Sequence, residues 1–290
     1  MRRLLLLLLA LCLVLAACGG SSDDSSSDDS DNQIGLFDWE RDPDTMIVRL
    51  DRHFDSPDDP TLELNNIPPC TVWGDGRVVW VTRGESGEEV VLKARIDESA
   101  IRSFLEDIIN RGFYEWDKEL VTLGTEDPVI ESITVSLYDE PRTVERYSYW
   151  PQNAYAAILE ECQQLGSENA RVVEPGAPGA PETGGWISAY QVNDPDPNAP
   201  SNNWEWRDAP FTLYELVENR EGRWVEGDLA RQVWLSARED RGDVLIMEYH
   251  REGDTEVEYA YRLAILVPGI SRDALPPPDD STASDTAPSE

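Results

Sequence analysis

Only two histidines, His53 and His250, are available for acid–base or zinc chemistry, and they lie far apart in the chain. No pair of His or Cys ligands at zinc spacing appears. There is no Gly-x-Ser-x-Gly elbow, since Gly84-Glu85-Ser86-Gly87 lacks the spacing that would expose a nucleophilic serine. Carboxylates are so numerous that any fold would bring two together, so no glycosidase pair can be singled out. The spacing that does suit an ion is Asp194, Asp196 and Asn198 with Glu205, the positions 1, 3, 5 and 12 of a calcium loop. Against calcium, Ala199 stands where the sharp turn wants glycine, and Pro195, Pro197 and Pro200 stiffen the segment; an acidic proline loop explains the same residues. Asp55, Asp58 and Asp59 are a weaker version. Arg241-Gly242-Asp243 matches an adhesion tripeptide, but it falls where a turn belongs before a strand. Trp204 and Trp206 are two apart, so in a strand both face one way. If exposed, they would stack on sugar rings or anchor a protein partner. We expect no catalytic activity, no cofactor other than calcium, and Trp204 and Trp206 as the binding candidates.

The start of the chain carries an address. Arg2 and Arg3 precede an apolar run, Leu4 to Val14, and Leu15-Ala16-Ala17-Cys18 follows. The pattern resembles the signal of bacterial lipoproteins. The resemblance implies cleavage before Cys18, acylation of Cys18, and an extracytoplasmic protein held to a membrane by that lipid. Residues 19–33 contain Gly, Ser, Asp, Asn and Gln and no apolar side chain, so they bury nothing and should form a solvated tether. Its reach is roughly 20 Å as a flexible coil.

The 290 residues carry 24 basic and 58 acidic side chains, a net charge of −34. Such a balance excludes a nucleic-acid footprint and a grip on anionic lipid headgroups. Membrane attachment is therefore left to the lipid on Cys18, and the expected partner is an unidentified envelope protein or glycan. Lys93 and Lys118 are the only lysines. Cys12 leaves with the leader and Cys18 takes lipid, so Cys70 and Cys162 remain. In an oxidising compartment we expect them to be bridged, the alternative being two buried thiols.

Elements follow from periodicity. Residues 46–54 alternate as a strand. Cys70–Trp73 and Arg77–Val81 flank Gly74-Asp75-Gly76 as a tight hairpin, and 89–96 adds a strand. Asp97 caps a helix whose Ile101, Phe104, Leu105, Ile108 and Ile109 share one face, with Gly112 as the stop. Phe113, Tyr114 and Trp116 should pack under the sheet. A second hairpin, from Ile133, turns at Asp139 to Arg142. A second helix buries Tyr155, Ile158, Leu159 and Cys162. Asp55–Pro69 and Asp194–Asn203 read as loops, 211–217 and 223–225 as short apolar stretches, 229–237 as helix or strand, and 244–249 with 257–267 as a long hairpin. The run Pro69-Cys70-Thr71-Val72-Trp73-Gly74-Asp75-Gly76-Arg77-Val78, then the helix, then Thr125-Glu126-Asp127-Pro128, resembles an uncharacterised domain family of bacterial lipoproteins over about residues 66–165. It implies no activity and no site residues. The reading is an α+β fold of two small domains, mostly antiparallel sheets each covered by one or two helices. The boundaries are leader 1–18, tether 19–33, first domain 34–171, Pro/Gly linker 172–185, second domain 186–272 and tail 273–290.

Overall fold

The β-branched and aromatic residues of 46–54, 70–73 and 77–83 sit in a strand ladder, and that ladder is the middle of a large sheet. In this computed structural model the described residues are 37–54, 60–85, 87–117, 129–138, 140–147, 149–203, 211–219, 222–238, 244–252, 255–272 and 274–278. The expected strand is β1 (Met46–Phe54). The hairpin is β2 (Cys70–Trp73) and β3 (Arg77–Arg83), followed by β4 (Glu89–Arg95). Gly76 takes φ +83° in the turn, where a side chain would strike the Ile96 carbonyl. β5 (Val129–Leu137), β6 (Glu140–Arg146) and the two-residue β7 (Arg171–Val172) complete a seven-stranded antiparallel sheet in the order β6-β5-β1-β2-β3-β4-β7.

The register sorts the side chains. Ile133, Leu50, Cys70, Trp80 and Leu92 align across the strands on one face. Against that face lies α3 (Ala154–Leu165), with α2 (Glu98–Asn110) alongside it. The Asp97 carboxylate accepts from Ala100 N at 2.8 Å, and Ile101, Phe104, Leu105 and Ile108 are buried as the spacing requires. Gly112 follows in the left-handed conformation at φ +86°. Cys162 on α3 is joined to Cys70 on β2 by a disulfide that closes 92 residues. Phe113, Trp116, Trp150 and Tyr155 form an aromatic chain with ring centroids 5.6–5.8 Å apart. Its end is fastened where the Tyr155 hydroxyl donates to Asp51 O and Trp150 Nε1 donates to Glu131.

The second sheet-based part is built from β8 (Gly184–Val192), β9 (Ser201–Asn203), β10 (Arg223–Glu226), β11 (Leu245–Glu252) and β12 (Thr255–Leu266), in the order β10-β8-β12-β11-β9. Four of its strands are antiparallel neighbours, and β9 runs parallel to β11. Residues 229–237, which periodicity left open, belong to α5 (Gly227–Arg238). It buries Ala230, Val233, Trp234 and Ala237, the i, i+3, i+4, i+7 set. One apolar cluster contains Trp73, Val79 and Val91 of the first sheet with Ile187, Tyr261 and Ile265 of the second. The described residues from Asp38 onward group as one compact unit.

Several local expectations change. The Asp55–Pro69 loop contains α1 (Pro60–Asn65), a short helix opening on proline where the missing N–H costs nothing. The second hairpin turns earlier than Asp139–Arg142. Tyr138 takes φ +53° and Leu137 already pairs with Glu140, so Pro141 and Arg142 lie in β6, an edge strand that tolerates proline. Tyr114 is exposed rather than packed under the sheet, because the short 3-10 turn over Phe113–Glu115 points Phe113 inward in its place. The 211–217 stretch yields α4 (Leu213–Asn219), and the 194–203 loop ends in β9. The Pro/Gly segment 172–185 is fastened to β4, where Val173 N donates to Val91 O, and is closed on itself, where Gly176 N donates to Glu182 O. Among the described residues, no helix is long and apolar enough to cross a membrane.

Candidate functional site

Two places combine polar chemistry with defined geometry. The first is centred on Glu248, a carboxylate on β11 that is only 7 % exposed. Its two oxygens accept from Leu213 N at 3.0 Å and Tyr214 N at 3.2 Å, the opening amides of α4. The same helix start is closed from within by a capping box: Glu215 N donates to Thr212 Oγ1, and Thr212 N donates to the Glu215 carboxylate. Glu248 also holds His250 Nε2 at 2.6 Å. The His250 ring packs against Tyr214 and Tyr259, with centroids 5.4 and 5.6 Å away. Burial, and then the Glu248 charge, push the Tyr261 phenol well above its usual range, so it stays neutral. A carboxylate that orients an imidazole is the arrangement of a general base. Here, however, both carboxylate oxygens are committed to the start of α4, and the pair reads as an anchor between helix and sheet. His53 lies on β1 of the other sheet, so the two histidines are not brought together.

The second place is a cleft of about 300 Å³ between α2 and α3. The i, i+3, i+4 geometry of the helices decides what lines it. Ala100, Phe104 and Asp107 come from α2, and Glu161, Gln164 and Leu165 from α3. Phe104 forms a closed apolar floor at 3 % exposure. Glu161 Oε1 pairs with Arg111. Its other oxygen, Oε2, is shielded from solvent and has no hydrogen-bond partner among the described residues. An acceptor left in that state carries a desolvation cost of about 1–3 kcal/mol. The apolar floor and the carboxylate walls suit a side chain with an aliphatic stem and a cationic head. The helical faces were legible in the sequence, but the cleft was not. It depends on small Ala100 facing Leu165 across a helix pair whose spacing only the fold sets.

The remaining ion pairs hold the framework. Glu182 accepts from Lys93 Nζ at 2.8 Å and from both Arg171 nitrogens at 2.7 and 2.9 Å. Burial raises its pKa, but the hydrogen bonds from Arg171 and Lys93 outweigh that and pull it down to about 2. Arg238, buried among apolar neighbours, pairs with Glu89 and donates to Asn65 O at 2.6 Å. Arg272 ties Glu63 and Asp51 together.

The residues singled out from the sequence are distributed as follows. Cys70 and Cys162 are bonded. Asp194, Asp196 and Asn198 lie in an exposed turn, where Asp196 Oδ1 accepts from Asn198 N and Nδ2. That interaction closes the turn on itself. Among the described residues, no group of three or more His, Cys, Asp or Glu is arranged to hold a metal. Cys18, Trp204, Glu205, Trp206 and Arg241-Gly242-Asp243 lie outside the described residues. A tryptophan pair of the second sheet, Trp186 and Trp224, meets edge to face at 5.7 Å, with each indole N–H satisfied, by Pro276 O and Glu226 respectively. The chain matches no protein-family model, no curated protein and no solved structure.

Proposed function

We propose that this chain is a lipid-anchored, extracytoplasmic module of the bacterial envelope that acts by binding a partner and performs no catalysis. The observation that carries the reading is the Cys70–Cys162 disulfide, which fits the oxidising compartment addressed by the leader ending at Cys18. The commitment of Glu248, Glu182, Asp51 and Glu89 to structural contacts supports binding over acid–base chemistry. The acylated Cys18 and the acidic 19–33 tether would hold the folded part near a membrane, and the net charge of −34 favours neutral or basic partners. Metabolic labelling with a fatty-acid analogue tests the anchor. Label should be incorporated by the native chain and lost in Cys18→Ser, with the variant leaving the membrane fraction. An unlabelled native chain, or equal membrane retention of both, would refute it.

A further inference from the structure

We infer that the cleft between α2 and α3 docks a basic amphipathic segment of a protein partner, taking one Lys or Arg side chain as its anchor. The inference rests on the binding-module reading and names the surface and chemistry of the partner. Three observations converge. The cleft has an apolar floor, Phe104 with Leu165 and Ala100, that fits an aliphatic stem. Its walls carry the carboxylates of Asp107 and Glu161. At about 300 Å³ the cleft suits a single anchoring side chain and sits at the lower bound of ordinary ligand pockets.

Charge selects the occupant. α2 and α3 together carry Glu98, Glu106, Asp107, Glu160 and Glu161 against Arg102 alone. Arg111, just beyond α2, is taken up by Glu161, and Arg102 lies over the Trp39 ring. A second copy of this chain would bring −34 against −34. Anionic lipid and nucleic acid are disfavoured in the same way. A basic segment is attracted at long range, its stem is desolvated on Phe104, and its head pairs with the Asp107 and Glu161 carboxylates of the cleft walls. A helix presenting cationic and apolar residues at i, i+3 and i+4 would lie along the furrow between two helices.

The test uses the full chain in nonionic detergent, with a fluorescent amphipathic peptide of Arg and Leu as probe and a Glu/Leu peptide as the mirror control. The expected result is saturable binding of the Arg/Leu peptide alone. Glu161→Gln should weaken it about tenfold, and Ala100→Trp, which plugs the cleft, by at least as much. Glu256→Gln/Glu258→Gln removes charge from exposed positions on β12 and should change affinity by less than about twofold. Circular dichroism and melting establish that each variant is folded; if Ala100→Trp is not, the isosteric change Glu161→Gln decides alone. Absence of saturable binding overturns the inference. So does an unchanged affinity in the cleft variants, or an equal loss in the β12 control, which would mean bulk attraction only. Because the readout is in solution, it is independent of whether Cys18 carries lipid. Failure here and failure of the anchor are therefore separately visible.

Discussion

Glu182 shows how a single side chain fixes a stretch that composition alone would leave loose. It sits in a Pro-Gly-Ala segment, and nothing marks it among 58 acidic residues. Its side chain is nevertheless 5 % exposed and is held by Lys93 from β4 and Arg171 from β7. The folded pKa of about 2 lies below the usual value of 4.5, so the carboxylate form is favoured by folding. The resulting stability is fully present above pH 4.5 and is lost as pH falls from there towards 2. The linkage gives about 3 kcal/mol as a ceiling at about 1.4 kcal/mol per unit. Arg171 is 39 % exposed and water screens it, so we expect about 1–2 kcal/mol. Denaturation of Glu182→Gln at neutral pH should show that loss. Its stability should then decline less between pH 4.5 and 2 than the native chain's, and parallel curves would refute the assignment. The orphan Glu161 Oε2 belongs at this scale too. Sequence shows a glutamate on a helix, whereas the missing donor is a property of where α2 and α3 come to rest.

At the scale of elements, two short helices are positioned by single polar side chains that reach across the fold. β11 pairs with β12 only as far as Tyr261; at residues 263–265 β8 pairs with one side of β12, and the edge that β11 leaves has no strand partner among the described residues. Asn65, the last residue of α1, fills that edge: Nδ2 donates to Leu263 O at 2.8 Å and Oδ1 accepts from Ile265 N at 3.1 Å. A side-chain amide thereby mimics a peptide unit of the ladder. Asn65→Ala strips both partners inside the core and should cost about 2–4 kcal/mol. Asn65→Asp should cost at least as much, since a carboxylate cannot donate to Leu263 O. Glu248 does the equivalent for α4 by accepting from its first amides. In Glu248→Gln the amide nitrogen faces donors, so hydrogen exchange at Leu213 and Tyr214 should accelerate ahead of the rest of α4; unchanged protection would show that the Thr212–Glu215 box suffices. That box, Thr-x-x-Glu, was a readable sign of a helix start at 212. α2, α3 and the two hairpins were likewise legible, since apolar spacing, the Asp97 cap and Asp75-Gly76 act within a few residues. α1 was not, because a six-residue helix has little propensity signal and exists through the tertiary bonds of Asn65.

Across the whole molecule, the two sheet-based parts are joined by contacts that no local pattern announces. Arg272 reaches Asp51 across 221 residues, and Arg238 reaches Glu89 across 149. One apolar cluster spans both sheets. Sequence periodicity reports which face of each element is apolar, but not which element covers it. The α+β class was therefore accessible, and the shared core was not. A shared core has a thermodynamic consequence: the two parts should unfold together, in one calorimetric transition. The disulfide allows that to be tested without touching the junction, because both of its cysteines belong to the first part. Opening a closed loop of 92 residues removes about 4–5 kcal/mol in the chain-entropy account. Reduction, or Cys70→Ser/Cys162→Ser, should therefore lower the single transition as a whole. Amides of β12 between Ala260 and Leu266, in the part that lacks the disulfide, should lose protection in step with those of β1 and β2. If β12 keeps its protection while the first sheet loosens, or if calorimetry resolves two transitions, the parts are independently stable. The Asn65, Arg238 and Arg272 contacts would then dock two folded bodies and would not complete one.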